Sequence, residues 1–144
     1  MDQMRITEIS YSRWGSGDYD LSALRLTNKA GQTSQLFGQE RHAWETKRLK
    51  TIPIASIIIY RKSDNAYMRG FKINYRNGES DIINSDNGTE AGTVTFETYD
   101  ELVGITVASV SDSETKPRRI GFTLMRDNCL PSMTAEFPSL PDNF

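Results

Sequence analysis

One motif is written three times along this sequence, and the repeat constrains the fold more than any single residue does. The first copy runs Arg5-Ile6-Thr7-Glu8-Ile9-Ser10-Tyr11, crosses a polar loop, and resumes at Leu21-Ser22-Ala23-Leu24-Arg25-Leu26-Thr27. The second runs Ile54-Ala55-Ser56-Ile57-Ile58-Ile59-Tyr60 and resumes at Met68-Arg69-Gly70-Phe71-Lys72-Ile73-Asn74-Tyr75. The third runs Leu102-Val103-Gly104-Ile105-Thr106-Val107-Ala108 and resumes at Arg119-Ile120-Gly121-Phe122-Thr123-Leu124. Ile6, Ile54 and Leu102 are equivalent, and so are Ile9, Ile57 and Ile105, at a spacing of about 48 residues. Within each copy the apolar residues alternate with polar ones, the period of half-buried strands. No unit of this size buries its own apolar face, so the three must share a core. The expected fold is all-β, and a β-prism and a β-trefoil both meet that condition. A sandwich of two Greek keys would not give three copies.

A length of 144 residues fits a single domain, 1–144, with a real core. The net charge of −2 argues against nucleic acid, whose phosphates call for a concentrated basic face. The run from Arg41 to Lys50 holds Lys47, Arg48 and Lys50, but Glu40 and Glu45 dilute it to a solvated connector. No apolar run is long enough to insert in a membrane. Met1-Asp2-Gln3-Met4 lacks the apolar region of a signal peptide, which leaves a mature secreted chain or a cytosolic one. A lone cysteine, Cys129, excludes an internal disulfide framework; it is either a small buried hydrophobe or a bridge between two chains. Asn87-Gly88-Thr89 has the form of an N-glycosylation site.

Turn formers separate the apolar segments: Gly15-Ser16-Gly17-Asp18, Arg76-Asn77-Gly78, Ser85-Asp86-Asn87-Gly88 and Ser111-Asp112-Ser113-Glu114. Asn77-Gly78 predicts a hairpin closed by a type I′ turn. Gln39 to Leu49 is helix-like in composition without an apolar stripe. It reads as an irregular connector with at most one helical turn, ended by Ile52-Pro53, and Trp44 as its packing anchor. Met133 to Phe137 reads as a last edge strand, and the residues after Pro138 as a tail.

Catalytic chemistry finds little support. His42 is the only histidine, so a histidine relay has one member. The carboxylates form no recognisable catalytic pair. There is no Cys/His cluster for zinc, and Asp81 and Asp86 lack the spacing of an EF-hand. The expectation is a non-enzyme with no cofactor and no metal.

The succession of strand, polar loop, and strand closing in an aromatic and Asn-Gly resembles jacalin-related lectins. Ile54 to Tyr60 with Gly70 to Gly78 carries the likeness, as do Thr93 to Glu97 leading into Glu101 to Val107. Leu21 to Gly31, ending at Leu36-Phe37-Gly38, is also similar. That element follows the others in typical members and leads here, as if the order were permuted. The resemblance implies a β-prism I fold: three Greek-key sheets with pseudo-three-fold symmetry, of the type found in invertebrate animal members. It also implies binding of mono- or oligosaccharides, including glycoprotein glycans, through loops at one end. Secretion and a homodimer or higher oligomer are the matching expectations, since avidity favours several linked sites. The other reading is a structural or assembly module on the same fold that has lost sugar binding.

In that family a glycine-rich loop joins a Gly-x-x-x-Asp loop, whose Asp accepts hydrogen bonds from sugar hydroxyls while glycine lets the backbone approach. The nearest match is Gly17-Asp18-Tyr19-Asp20, one residue short. Trp14 and Tyr19 offer apolar faces for a pyranose. Asp20 is the expected acceptor, with Asp18 beside it. The second unit offers Asp64 and Asn65, with Asp86, Asn87 and Gly88 as a companion loop, although Arg69 holds the equivalent Asp position. The third offers Asp112 to Lys116, without glycine and with Ile120 near the Asp position.

Overall fold

The structure, a computed structural model, describes residues 2–13, 20–34, 36–40, 44–61, 68–108, 119–125 and 131–137, with the side chains from Gln3 to Ile105 among them. Among the described residues eleven strands follow one another: β1 (Ile6–Arg13), β2 (Leu21–Asn28), β3 (Phe37–Gly38), β4 (Glu45–Arg48), β5 (Ile54–Arg61), β6 (Met68–Tyr75), β7 (Ser80–Ile83), β8 (Thr89–Thr95), β9 (Glu101–Ala108), β10 (Arg119–Met125) and β11 (Pro131–Phe137). They form three antiparallel sheets, in the orders β3-β2-β1-β4, β7-β6-β5-β8 and β11-β10-β9. The first two share one topology. Three consecutive strands lie side by side and a fourth returns beside the first, the spatial order of a Greek key.

The repeat is visible in the register. Ile9 faces Leu26, Ile57 faces Ile73, and Ile105 faces Phe122. Alternation sends one face of each hairpin inward. Ile9, Ile57, Ile59, Phe71 and Ile73 are fully buried and Ile105 nearly so, all in one apolar cluster. That cluster draws on all three sheets, which also touch pairwise through β1 and β9, β2 and β6, and β8 and β11. Phe122 and Leu124 lie on β10, in the strand the alternation predicts; their side chains fall outside the described set.

Three local expectations need correction. The connector reading of Gln39 to Leu49 fails at its end, because Glu45–Arg48 is strand β4, paired with Glu8 to Tyr11 of β1. A short charged edge strand carries no apolar alternation of its own; its partner imposes the extended state. The hairpin at Asn77-Gly78 forms, yet it is not type I′. Gly78 has φ +91° while Asn77 keeps a negative φ. The Gly78 amide donates to the Tyr75 carbonyl at 3.0 Å, and the Tyr75 amide to the Glu79 carbonyl at 2.9 Å. That is a type I turn followed by a left-handed glycine, the longer alternative for an Asn-Gly pair. The last edge strand begins at Pro131, two residues before the expected Met133.

Candidate functional site

The β1–β2 and β5–β6 hairpins and the β7–β8 loop converge at one end of the first two sheets. Arg69 lies near the start of β6, where the pairing with β5 shifts register and breaks the alternation, and its side chain is largely buried. A guanidinium in that position must meet an anion, because an unpaired buried charge is costly. The partner is Asp20, just ahead of β2 in the neighbouring sheet. Arg69 Nε lies 3.2 Å from Asp20 Oδ1, and Asp20 is fully buried. Ser22 is also fully buried, with its hydroxyl 2.7 Å from that of Ser12.

This corrects the expected role of Asp20. Its carboxylate is turned into the junction between two sheets, not outward to a sugar. Arg69, which stands where the second unit should carry an acceptor, neutralises the acceptor of the first. Gly17, Asp18, Tyr19, Asp64 and Asn65 lie outside the described residues, as do Trp14, His42, Asp112 to Lys116 and Cys129.

Asp86, Asn87 and Gly88 are exposed in the β7–β8 loop, and the backbone there is held on several sides. Asn84 has φ +65°, a left-handed conformation that asparagine tolerates better than most residues. Its side-chain amide donates to the Arg69 carbonyl. Its backbone and the Glu45 carboxylate of β4 both lie near the Tyr11 hydroxyl. Burial, then the Glu45 carboxylate, raises the Tyr11 pKa above the ordinary tyrosine value. The Ser85 hydroxyl accepts the Asn87 amide at 3.0 Å. Two glycines let the loop close this tightly. A Cβ on Gly70 would sit 2.1 Å from the Ile83 carbonyl oxygen, and one on Gly88 2.3 Å from that of Arg61.

Beside the loop stands Tyr60, on the outward face of β5, with Glu90 opposite it on β8. Burial, then the charges of Glu90 and Asp86, raises the Tyr60 pKa. Tyr60 and Glu90 face each other across β5 and β8, and Asp86 and the Asn87 amide are exposed on the loop that leads into β8. Carboxylates accept from hydroxyls, the amide accepts and donates, and the ring offers an apolar surface. Glu90 and Tyr60 gave no signal in the sequence, because their proximity depends on the β5–β8 pairing across almost thirty positions of chain. Among the described residues no group of three or more His, Cys, Asp or Glu side chains is placed to hold a metal ion.

No family model matches this sequence, and no curated protein does. Among solved structures the chain is similar to one described as the crystal structure of PirB, with a TM-score of 0.64 and 12% sequence identity over 85% of this chain. The match spans 29% of that PirB chain, so this chain corresponds to a part of a longer protein there. At such identity the likeness concerns the fold alone.

Proposed function

We propose that this chain is a non-catalytic carbohydrate-binding module on a β-prism I scaffold, taking up glycan hydroxyls through the loops at one end. The observation that supports this best is the β7–β8 loop: an anchored backbone that exposes Asp86 and Asn87 beside the ring of Tyr60. Anchoring before the ligand arrives lowers the entropy lost on binding, which matters for shallow sites with few hydrogen bonds. The prism reading rests on three repeated units, three sheets and one shared core.

A glycan array followed by titration calorimetry of each hit tests the proposal. Asp86→Ala should weaken binding by about 1.5–3 kcal/mol, the value of a hydrogen bond to a charged acceptor. Tyr60→Ala should weaken it further if the ring carries a sugar face. Unchanged affinity in both variants would move the site away from this loop, toward Asp18 or toward Asp64 and Asn65.

The second reading is a structural or assembly module that kept the scaffold and lost the sugar. The buried pair of Asp20 and Arg69 favours it, since the family's acceptor position is spent on joining two sheets. A folded chain that retains no glycan on the array would support this reading. Secretion and self-association into a dimer or larger oligomer complete the proposal; light scattering of the purified chain measures the second.

A further inference from the structure

The end opposite the β7–β8 loop holds a recess that the glycan reading does not use. β5 starts there at Ile54 and finishes at Arg61 beside Gly88, a separation of roughly 23 Å for an extended strand. The recess has a volume of about 350 Å³. It lies where the repeats begin: Ile6, Ile54 and Leu102, the equivalent first apolar positions of the three units, all line it. Leu49 and Ile52 complete the apolar wall, and Thr51, Thr98 and Tyr99 stand exposed around it.

Three features define what such a recess would hold. Its size falls in the range of small-molecule sites, so it admits one or two rings, not a peptide segment. The charged residues that line it balance, Arg5 and Lys50 against Asp100 and Glu101, and two of them are held by neighbours. The Lys50 ammonium lies 3.7 Å from Glu79, and Asp100 Oδ2 accepts the Glu97 amide at 2.8 Å. A charged ligand would have to compete with these contacts, whereas an uncharged one would not. Tyr99 is 68% exposed, an unusual amount for an aromatic ring, and it borders the recess. A flat ring entering over Ile54 and Leu102 could stack against it.

We propose that this recess is a binding site for a small uncharged aromatic molecule, separate from the glycan loops and independent of whether those loops bind sugar. The uncharged fluorophore N-phenyl-1-naphthylamine is a suitable test ligand, added to the intact chain. Its emission should rise and saturate at one molecule per chain. Thr51→Trp and Thr98→Trp place bulk in the recess from exposed positions, and each should weaken uptake about tenfold or more. In the unsubstituted chain, methyl NMR signals of Ile6, Ile54 and Leu102 should shift on addition, while those of Ile59 and Ile83, buried toward the other end, should stay in place. Absence of saturable uptake would overturn the proposal. So would methyl shifts confined to the other end, or folded Trp variants that take up the dye as well as the parent. If either Trp variant fails to fold, the methyl pattern of the parent chain decides alone.

Discussion

Arg69 sits at a register shift near the start of β6, and its charge is tolerable there because Asp20 meets it. Arg69→Met should cost about 3–5 kcal/mol in chemical denaturation, since it removes the cation that faces a buried carboxylate. Replacing both, Asp20→Leu with Arg69→Met, should restore most of that loss; a single variant as stable as the parent would show that the two charges do not depend on each other. Phe71 is a simpler case. It is fully buried in the shared cluster, so Phe71→Ala should cost about 3–5 kcal/mol, and a loss below about 1 kcal/mol would remove it from the core. Tyr75 gives a pH signature. Burial raises its pKa above the ordinary value, the Lys50 amide donor partly offsets this, and the Asp81 carboxylate that accepts its proton at 2.7 Å raises it further. The folded chain therefore keeps the phenol proton where the unfolded chain has lost it. Stability should be level with respect to Tyr75 below pH about 10 and fall as pH rises above it. Tyr75→Phe should flatten that alkaline decline, as followed by denaturation midpoints between neutral pH and the alkaline limit.

At the scale of elements, legibility tracked how much of the signal was local. Each long hairpin carries its own alternation, so β1–β2, β5–β6 and β9–β10 could be read in the sequence, with Ile9, Ile57 and Ile105 as matching core positions. Glu45-Thr46-Lys47-Arg48 carries none, and became a strand because β1 offers it a free edge. The Asp20 expectation failed for a related reason. Spacing showed a carboxylate in a loop but not Arg69, some fifty residues away, in a strand of another sheet. Tyr60 and Glu90 became neighbours through the same kind of long-range pairing. The β7–β8 loop shows what turn residues do specify. Gly88 has φ +137° and presses against the Arg61 carbonyl, so Gly88→Val cannot keep the backbone path. It should destabilise the chain by more than about 1 kcal/mol and speed amide exchange from Asn84 to Asn87, with little change in β1 and β2. Unaltered exchange in that loop would mean that Gly88 does not set its conformation.

Across the whole molecule, each sheet is a one-sided object. Alternation gives it an apolar inner face and a polar outer one, and the inner faces find cover only in each other. Ile9 and Leu24 from the first sheet, Ile57 and Phe71 from the second, and Leu102 and Ile105 from the third belong to one cluster, which no single sheet could assemble. The Asp20–Arg69 pair binds the first two sheets together across the same seam. Cooperativity follows. Unfolding should be a single transition, because losing one sheet exposes the inner faces of the other two. A fragment of residues 50–100 contains all of β5 to β8, with every backbone partner of its sheet present. Its hydrogen bonding is therefore complete, yet Ile57, Ile59, Phe71 and Ile73 would face water in place of their neighbours. A four-stranded sheet of this length with one bare apolar face lacks the buried area to offset chain entropy. The fragment should show a disordered circular dichroism spectrum and poorly dispersed amide resonances at concentrations low enough to prevent association. A dispersed, monomeric spectrum would show that the second repeat folds without the other two, and that the shared core does not hold the molecule together.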